Sequence, residues 1–311
     1  PLLRRPVGPL ADALTAVGAE VDAAGGFPPV RVAGGGLDGG AATVDASASS
    51  QFASALLLVA PYARADLSVR AAGAGAVGYV ALTAELMSSW GAEARQVAAD
   101  TWQVTAGRGY RGGTHRVEYD ASAAAHLLAV AVATGGRVTV TNAAPRTLQP
   151  DAAVTEVFAA MGATVRRSDQ ELTVTGPARP DPVDVDLAAM PDQLPTVAVL
   201  AALAAGTSRV RGVAVARLHE SDRLAALARE LGKLGVTVDE RPAELRIHGG
   251  RPSGPARLRT YHDHRLAMAF AALAARVPGI VVEEPWCVTK TYPRFWHDLR
   301  GLGVAWQEDS R

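Results

Sequence analysis

Four times along the chain a short polar cluster runs directly into an Ala/Leu-rich apolar stretch. The clusters read SASSQF (residues 47–52), EYDASA (118–123), MPDQLP (190–195) and YHDHRLAM (261–268). Each apolar run is too short to cross a bilayer and is apolar on nearly every side, which predicts a buried helix. Hydroxyls, carboxylates, imidazoles and an arginine are thereby placed at the N-termini of buried helices. There the unpaired N–H groups and the positive dipole end favour anions. One such start would be ordinary capping; four point to a site assembled by repetition.

A second landmark measures the repeat. Each polar-start helix is followed by an amphipathic helix that ends at a glycine and leads into a strand: ALTAVGAEV, LMSSWGAEA, VFAAMGATV, LGKLGVTV and LRGLGVAW. The glycines are Gly18, Gly91, Gly162, Gly235 and Gly303, at spacings of 73, 71, 73 and 68 residues. Glycine at that place is a helix C-cap signal. The following strand tends to run into another glycine turn, as in VRVAGGG from Val30, WQVTAG from Trp102, LTVTG from Leu172 and LRIHGG from Leu245. One unit then reads as strand, buried helix, strand, amphipathic helix and two strands. That period exceeds the roughly 20–50 residues of solenoids, so each unit is closer to a subdomain.

Composition narrows the class. The 311 residues exceed one ordinary core, so two domains are expected. The formal net charge of zero argues against a nucleic-acid partner. Cys287 is the only cysteine, leaving no disulfide framework and no thiolate metal site. The chain is expected to be soluble and cytoplasmic, with no membrane partner. It begins on PLLRRPVGPL without an initiator Met, and the expectation is that residue 1 is not the natural start. Lysine occurs only at Lys233 and Lys290 among 31 basic residues. Lys233 fits the exposed side of an amphipathic helix. Lys290, in CVTKTYP after an apolar strand, is a place where a compact amine with a tunable pKa serves better than arginine.

Chemistry concentrates in three segments. In RLHESDRLAALARELGKLG, Leu224, Leu227, Leu231 and Leu234 fall at helical spacing, so a helix starts near Ser221 with a Ser or Asp cap. Arg223 then lies in the first turn, against the helix dipole. It either forks onto an anionic ligand or forms a local pair with Glu220. In YHDHRLAM, Asp263 caps a helix, Arg265 faces an anion, and His264 is a donor or proton-transfer group. A metal reading of His262 and His264 lacks a third ligand. Asp192 sits at a buried helix start with Pro195 in the first turn, as plain cap or functional carboxylate. Ser49, Ser50 and Gln51 are neutral donors at another start. His115, His126, His248 and His297 read as ordinary positions.

Taken in series, RRPVGPLADAL, DASASSQFASALLLVAP, LHESDRLAAL, YHDHRLAMAFA and CVTKTYPRFW resemble the 5-enolpyruvylshikimate-3-phosphate (EPSP) synthase family in order and spacing over essentially the whole chain. The resemblance implies an inside-out α/β barrel of two domains, each built from βαβαββ units. It implies transfer of the enolpyruvyl group of phosphoenolpyruvate to the 5-hydroxyl of shikimate 3-phosphate through a tetrahedral ketal, by a monomer with no metal or organic cofactor. Matched motif by motif, Ser49, Ser50, Gln51, Tyr79, Asp192 and His219 would hold shikimate 3-phosphate. Arg5, Gln51, Arg223, His264, Arg265 and Lys290 would hold phosphoenolpyruvate. Asp192, Glu220 and Lys290 would be catalytic, Asp192 as base for the 5-hydroxyl and Glu220 as proton carrier at the methylene.

Departures from that pattern set further expectations. His219 stands where the family often has Lys, Ala76 where a Ser contacts substrate phosphate, and Val215 where Asn is expected. The family's Gly-Ser-Lys-Ser-type loop, with its catalytic Lys, and its Asn-Ala-Gly-Thr-type helix start do not occur. The chain therefore reads as residues 1–114 with two units and 115–311 with three, one unit being missing at the N-terminus. It is either a truncated copy of the synthase or an inactive scaffold or ligand-binding protein. The sister UDP-N-acetylglucosamine enolpyruvyltransferases use a loop Cys in the first domain, whereas Cys287 lies near the C-terminus.

Overall fold

The structure is a computed structural model that describes residues 3, 5–73, 77–143 and 146–308. Ala76 lies outside the described residues. The chain divides into two compact units, Pro1–Arg116 and Val117–Arg311, and the fold is mixed α/β.

The first unit runs α1 (Gly8–Ala16), β1 (Glu20–Ala23), β2 (Val30–Ala33), β3 (Gly40–Asp45), α2 (Gln51–Val59), β4 (Leu67–Ala72), α3 (Val77–Ser89), β5 (Ala94–Ala98) and β6 (Thr101–Val104). Strands β1 and β2 form an antiparallel pair, and β3, β4, β6 and β5 make one sheet in that order. In it β3 and β4 are parallel, and β6 is antiparallel to both of its neighbours.

The second unit continues with α4 (Ala121–Thr134), β7 (Arg137–Thr141), α5 (Val154–Ala160), β8 (Thr164–Arg167), β9 (Glu171–Thr175), β10 (Asp184–Asp186), α6 (Leu194–Leu203), β11 (Thr207–Arg211), α7 (Arg223–Gly232), β12 (Thr237–Arg241), β13 (Glu244–His248), β14 (Ala256–Leu258), α8 (His264–Ala274), β15 (Ile280–Val282) and α9 (Phe295–Gly301). The sheet β10-β11-β13-β12 repeats the order and pairing sense of β3-β4-β6-β5. The sheet β7-β9-β8 and the parallel pair β14-β15 are shorter copies. A β-helix-β crossover followed by a helix and a hairpin is thus written out in full twice.

All five landmark glycines end helices in the same way. Their φ values are 96°, 86°, 92°, 80° and 88° for Gly18, Gly91, Gly162, Gly235 and Gly303. Each glycine N–H donates to the carbonyl three residues back, and the next N–H to the carbonyl five residues back, as in Gly91 to Ser88 and Ala92 to Met87, both at 3.0 Å. This is the Schellman arrangement, which needs a left-handed residue and pairs two otherwise orphan carbonyls. The second glycine of the repeat acts through space. A methyl group on Gly176, after β9, would collide with the carbonyl of Ala131 in α4, and one on Gly249, after β13, would collide with that of Ala201 in α6. The strand ends close directly onto the C-termini of the buried helices.

Helices α4, α6 and α8 pack on one another, and every residue of α6 is buried. Strands β9, β11 and β13 alternate buried and half-exposed positions, so one face of each sheet lies on these helices. Helix α2 departs from the expectation of burial on all sides. Ala53, Leu56 and Leu57 are buried, but Leu58 and Val59 are 45% and 41% exposed. It packs on α1, α3, β3 and β4, and within this unit no other helix covers that face among the described residues. No helix among the described residues is long and apolar enough to cross a membrane.

Candidate active site

The polar starts of α6, α7 and α8 converge on one guanidinium. Arg223 begins α7, where Asp222 caps the helix by accepting the Ala225 N–H. Its side chain is fully buried. Nε donates to Asp263 Oδ2 at 2.8 Å and Nη2 to Asp263 Oδ1 at 3.3 Å. Nη1 donates to Asp192 Oδ1 at 2.8 Å and to His219 Nδ1 at 2.8 Å, and Nη2 also reaches Glu220 Oε2 at 3.1 Å. The Arg223–Glu220 pair considered from sequence is present, as one contact of a buried network and not as an exposed surface pair.

Two further cations close the network from outside. Arg265 Nη2 donates to Asp192 Oδ2 at 2.8 Å, and Lys290 Nζ bonds Glu220 Oε1. Each of these carboxylates is therefore shared between buried Arg223 and an outer cation, with Lys290 the most exposed member at 51%. Three cations face three carboxylates, Asp192, Glu220 and Asp263. The backbone before α8 holds Tyr261 and His262 at φ of 55° and 57°, conformations that cost energy in non-glycine residues and cluster at functional sites. Asp263 then caps α8 by accepting the Arg265 N–H at 3.0 Å, as expected, and also accepts Ser221 Oγ at 3.0 Å.

Asp192 is not the cap of α6. It lies inside a short 3-10 turn, Pro191–Gln193, and α6 has no side-chain cap. Its carboxylate is drawn away from the helix end by the two guanidiniums. Burial pushes its pKa up, but Arg265 and Arg223 outweigh that and bring it to about 2. Burial likewise raises Glu220, and the Lys290 bond and Arg223 hold it well below the carboxylate range.

Three imidazoles border the network. Burial and the Arg265 charge lower His264 to about 4, and burial with Arg223 lowers His219. His126, read from sequence as an ordinary position, is fully buried in α4 and bonds Thr196 Oγ1 through Nδ1 at 3.1 Å. Burial and the charges of Arg265, His264 and Arg223 keep it far below its usual value. The signal that would have marked it was a lone imidazole in the otherwise apolar run AAAHLLAVAV. His262, by contrast, is exposed and pairs with Glu284 at 3.4 Å.

A pH dependence follows. The ordinary histidine value is 6.5, so below it the unfolded chain binds protons that the folded imidazoles refuse. Stability should then fall with falling pH, His264 contributing down to about 4, at about 1.4 kcal/mol per pH unit for each imidazole kept neutral. Asp192 and Glu220 extend the loss to lower pH. Urea unfolding at pH 7 and pH 5 checks this, and an unchanged midpoint would refute it.

The other expected site residues lie in the first unit. Ser50 precedes α2 without a side-chain cap bond, Ser49 Oγ accepts the Gln51 N–H at 3.2 Å, and Gln51 opens the helix with its side chain exposed. Tyr79 is half-buried on α3, whose Thr83 bonds Ser54 of α2 at 2.9 Å. Arg5 is half-buried ahead of α1.

The family model for EPSP synthase (3-phosphoshikimate 1-carboxyvinyltransferase) matches residues 2–299. A 3-phosphoshikimate 1-carboxyvinyltransferase of Syntrophobacter fumaroxidans is 41% identical over 305 residues, covering 97% of this chain and 72% of that one. The one from Methanoculleus marisnigri is 39% identical over 306 residues, with the same 97% and 72% coverage. Among solved structures, an EPSP synthase of Acinetobacter baumannii superposes with a TM-score of 0.80 at 23% identity, covering 98% of this chain and 72% of that chain. The enolpyruvyl transferase NikO of Streptomyces tendae gives a TM-score of 0.75 at 21% identity, with coverage of 98% and 72%. By sequence the chain belongs to the EPSP synthase family.

Proposed function

We propose that Asp192, Glu220 and Lys290 of this chain carry the chemistry of the synthase reaction, transfer of the enolpyruvyl group of phosphoenolpyruvate to the 5-hydroxyl of shikimate 3-phosphate. The observation that carries the reading is the sharing of Asp192 and Glu220 between buried Arg223 and the outer cations Arg265 and Lys290. Cations for an anionic ligand and carboxylates for proton transfer stand in one cluster. Addition requires a proton at the phosphoenolpyruvate methylene and loss of one from the 5-hydroxyl; elimination reverses the first transfer and expels phosphate. Asp192 is ionised down to about pH 2, so it can accept a proton, and it becomes the stronger base once Arg265 lets go of it. Glu220 begins as a carboxylate because Lys290 and Arg223 hold it so. A phosphate or carboxylate that engages Lys290 weakens that hold and adds negative charge, which raises Glu220 toward protonation. The same ligand turns Arg265 toward itself and releases Asp192 to meet the hydroxyl.

In this reading residues 1–114 and 115–311 are two domains of inside-out barrel type carrying five of six βαβαββ units. Ser49, Ser50, Gln51, Tyr79 and His219 hold shikimate 3-phosphate. Arg5, Gln51, Arg223, His264, Arg265 and Lys290 serve phosphoenolpyruvate. The exposure of Leu58 and Val59 on α2 supports this count, since a further helix on that face would cover them. The 311 residues lack the Gly-Ser-Lys-Ser-type loop, so alone they should bind phosphoenolpyruvate without releasing phosphate. Joining the first unit of the Methanoculleus relative ahead of Pro1 should give turnover. Phosphate release by the 311 residues alone would refute the need for that loop. Absence of phosphoenolpyruvate binding would refute the site.

A further inference from the structure

Helix α6 is buried throughout, yet its start carries two polar side chains tied to other elements. Gln193 Nε2 donates to Asp151 Oδ1 at 2.8 Å, and Thr196 Oγ1 meets His126 Nδ1 of α4 at 3.1 Å. All four residues are buried. In such surroundings an apolar pair of similar volume is commonly as stable or more so. His126 carries an added cost, because its Nε2 is buried without a hydrogen-bond partner among the described residues. Phenylalanine opposite valine would incur neither that cost nor an orphaned hydroxyl, so stability does not explain the imidazole.

Its location does. Thr196 lies four residues after Asp192, about one helical turn along. A bond that fixes Thr196 against α4 also fixes where the Asp192 carboxylate stands between Arg223 and Arg265. The charged groups acting on the ring are Arg265, His264, Arg223 and Asp192. A neutral ring can hold Thr196 without competing with Arg265 for Asp192, which a cation there would do. We propose that His126 is a positioning residue that acts through Thr196 to fix the turn presenting Asp192. Its effect on turnover rests on Asp192 being the base.

Hydrogen exchange of the 311-residue protein, read by mass spectrometry over residues 190–198, tests the positioning without needing activity. His126→Phe and Thr196→Val should each speed exchange there about tenfold, and the double variant no more than either single. His126→Asn, which can again bond Thr196, should restore slow exchange. The melting temperature of the double variant His126→Phe/Thr196→Val should not fall. Unchanged exchange in both single variants, additive effects, or failure of Asn to rescue would overturn the proposal. In the enzyme completed with the relative's first unit, His126→Phe should lower kcat about tenfold with little change in KM for phosphoenolpyruvate. Faster exchange with unchanged kcat would leave the positioning intact and remove Asp192 as the base.

Discussion

Arg223→Met is expected to lower the unfolding free energy of the 117–311 unit by about 3–5 kcal/mol, the usual cost of removing one partner from a buried ion pair. The size follows from what the substitution leaves behind. Asp263 is fully buried, and Glu220 and Asp192 are 17% and 28% exposed. Without the guanidinium, Asp263 keeps no cation among the ion pairs of the described residues except neighbouring His264, at 3.9 Å and held largely neutral. Arg223→Lys should recover little. One ammonium cannot reproduce five N–H donors set in a plane that serve three carboxylates and an imidazole at once. Urea unfolding of the two variants decides the matter. If Arg223 served only to await an anionic ligand, both would lose well under 1 kcal/mol, as exposed pairs do. That outcome would make the buried network incidental to the fold.

The local signals of the fold were legible because they act over three to five residues. Asp120, Asp222 and Asp263 all cap their helices, and the five glycines all close Schellman turns. The pairings of the site were not legible as contacts, because their partners lie far apart in sequence. Asp192 and Arg265 are 73 residues apart, Glu220 and Lys290 are 70 apart, and His126 and Thr196 are 70 apart. Those separations match the spacing of the landmark glycines. A repeat that packs successive buried helices together brings positions one period apart into contact, so the period itself encodes these three pairs. Arg223 escapes the rule. It reaches Asp192 over 31 residues and Asp263 over 40, from the amphipathic helix of one unit to the buried helix starts of two. Its first-turn position, which from sequence suits either an anionic ligand or a local Glu220 pair, is served here by three carboxylates of the protein itself. Of the two readings of Asp192, plain cap or functional carboxylate, the structure removes the cap for a related reason: two guanidiniums attract a carboxylate more strongly than the N–H groups of a helix end.

Asp192→Asn should move catalysis and binding in opposite directions. The amide keeps the volume of the carboxylate and can still accept hydrogen bonds from Arg223 and Arg265, but it cannot take the 5-hydroxyl proton. Turnover by the completed enzyme should fall by about 10²–10⁴, the range lost with a general base. The substitution also removes the anion that the two guanidiniums share at 2.8 Å each. Arg223, Arg265 and Lys290 are then left facing only Glu220 and Asp263, and the cluster carries one net positive charge. Phosphate or phosphoenolpyruvate should therefore bind the 311-residue variant more tightly and raise its melting temperature more than that of the unsubstituted chain. A residue that merely tethered Arg265 would behave differently, since its loss would weaken binding and rate together. Calorimetric titration with phosphoenolpyruvate, paired with phosphate-release kinetics, separates the two roles. Weaker binding with a loss of rate no larger than the loss of binding would take Asp192 out of the proton transfer and leave it as a tether for Arg265.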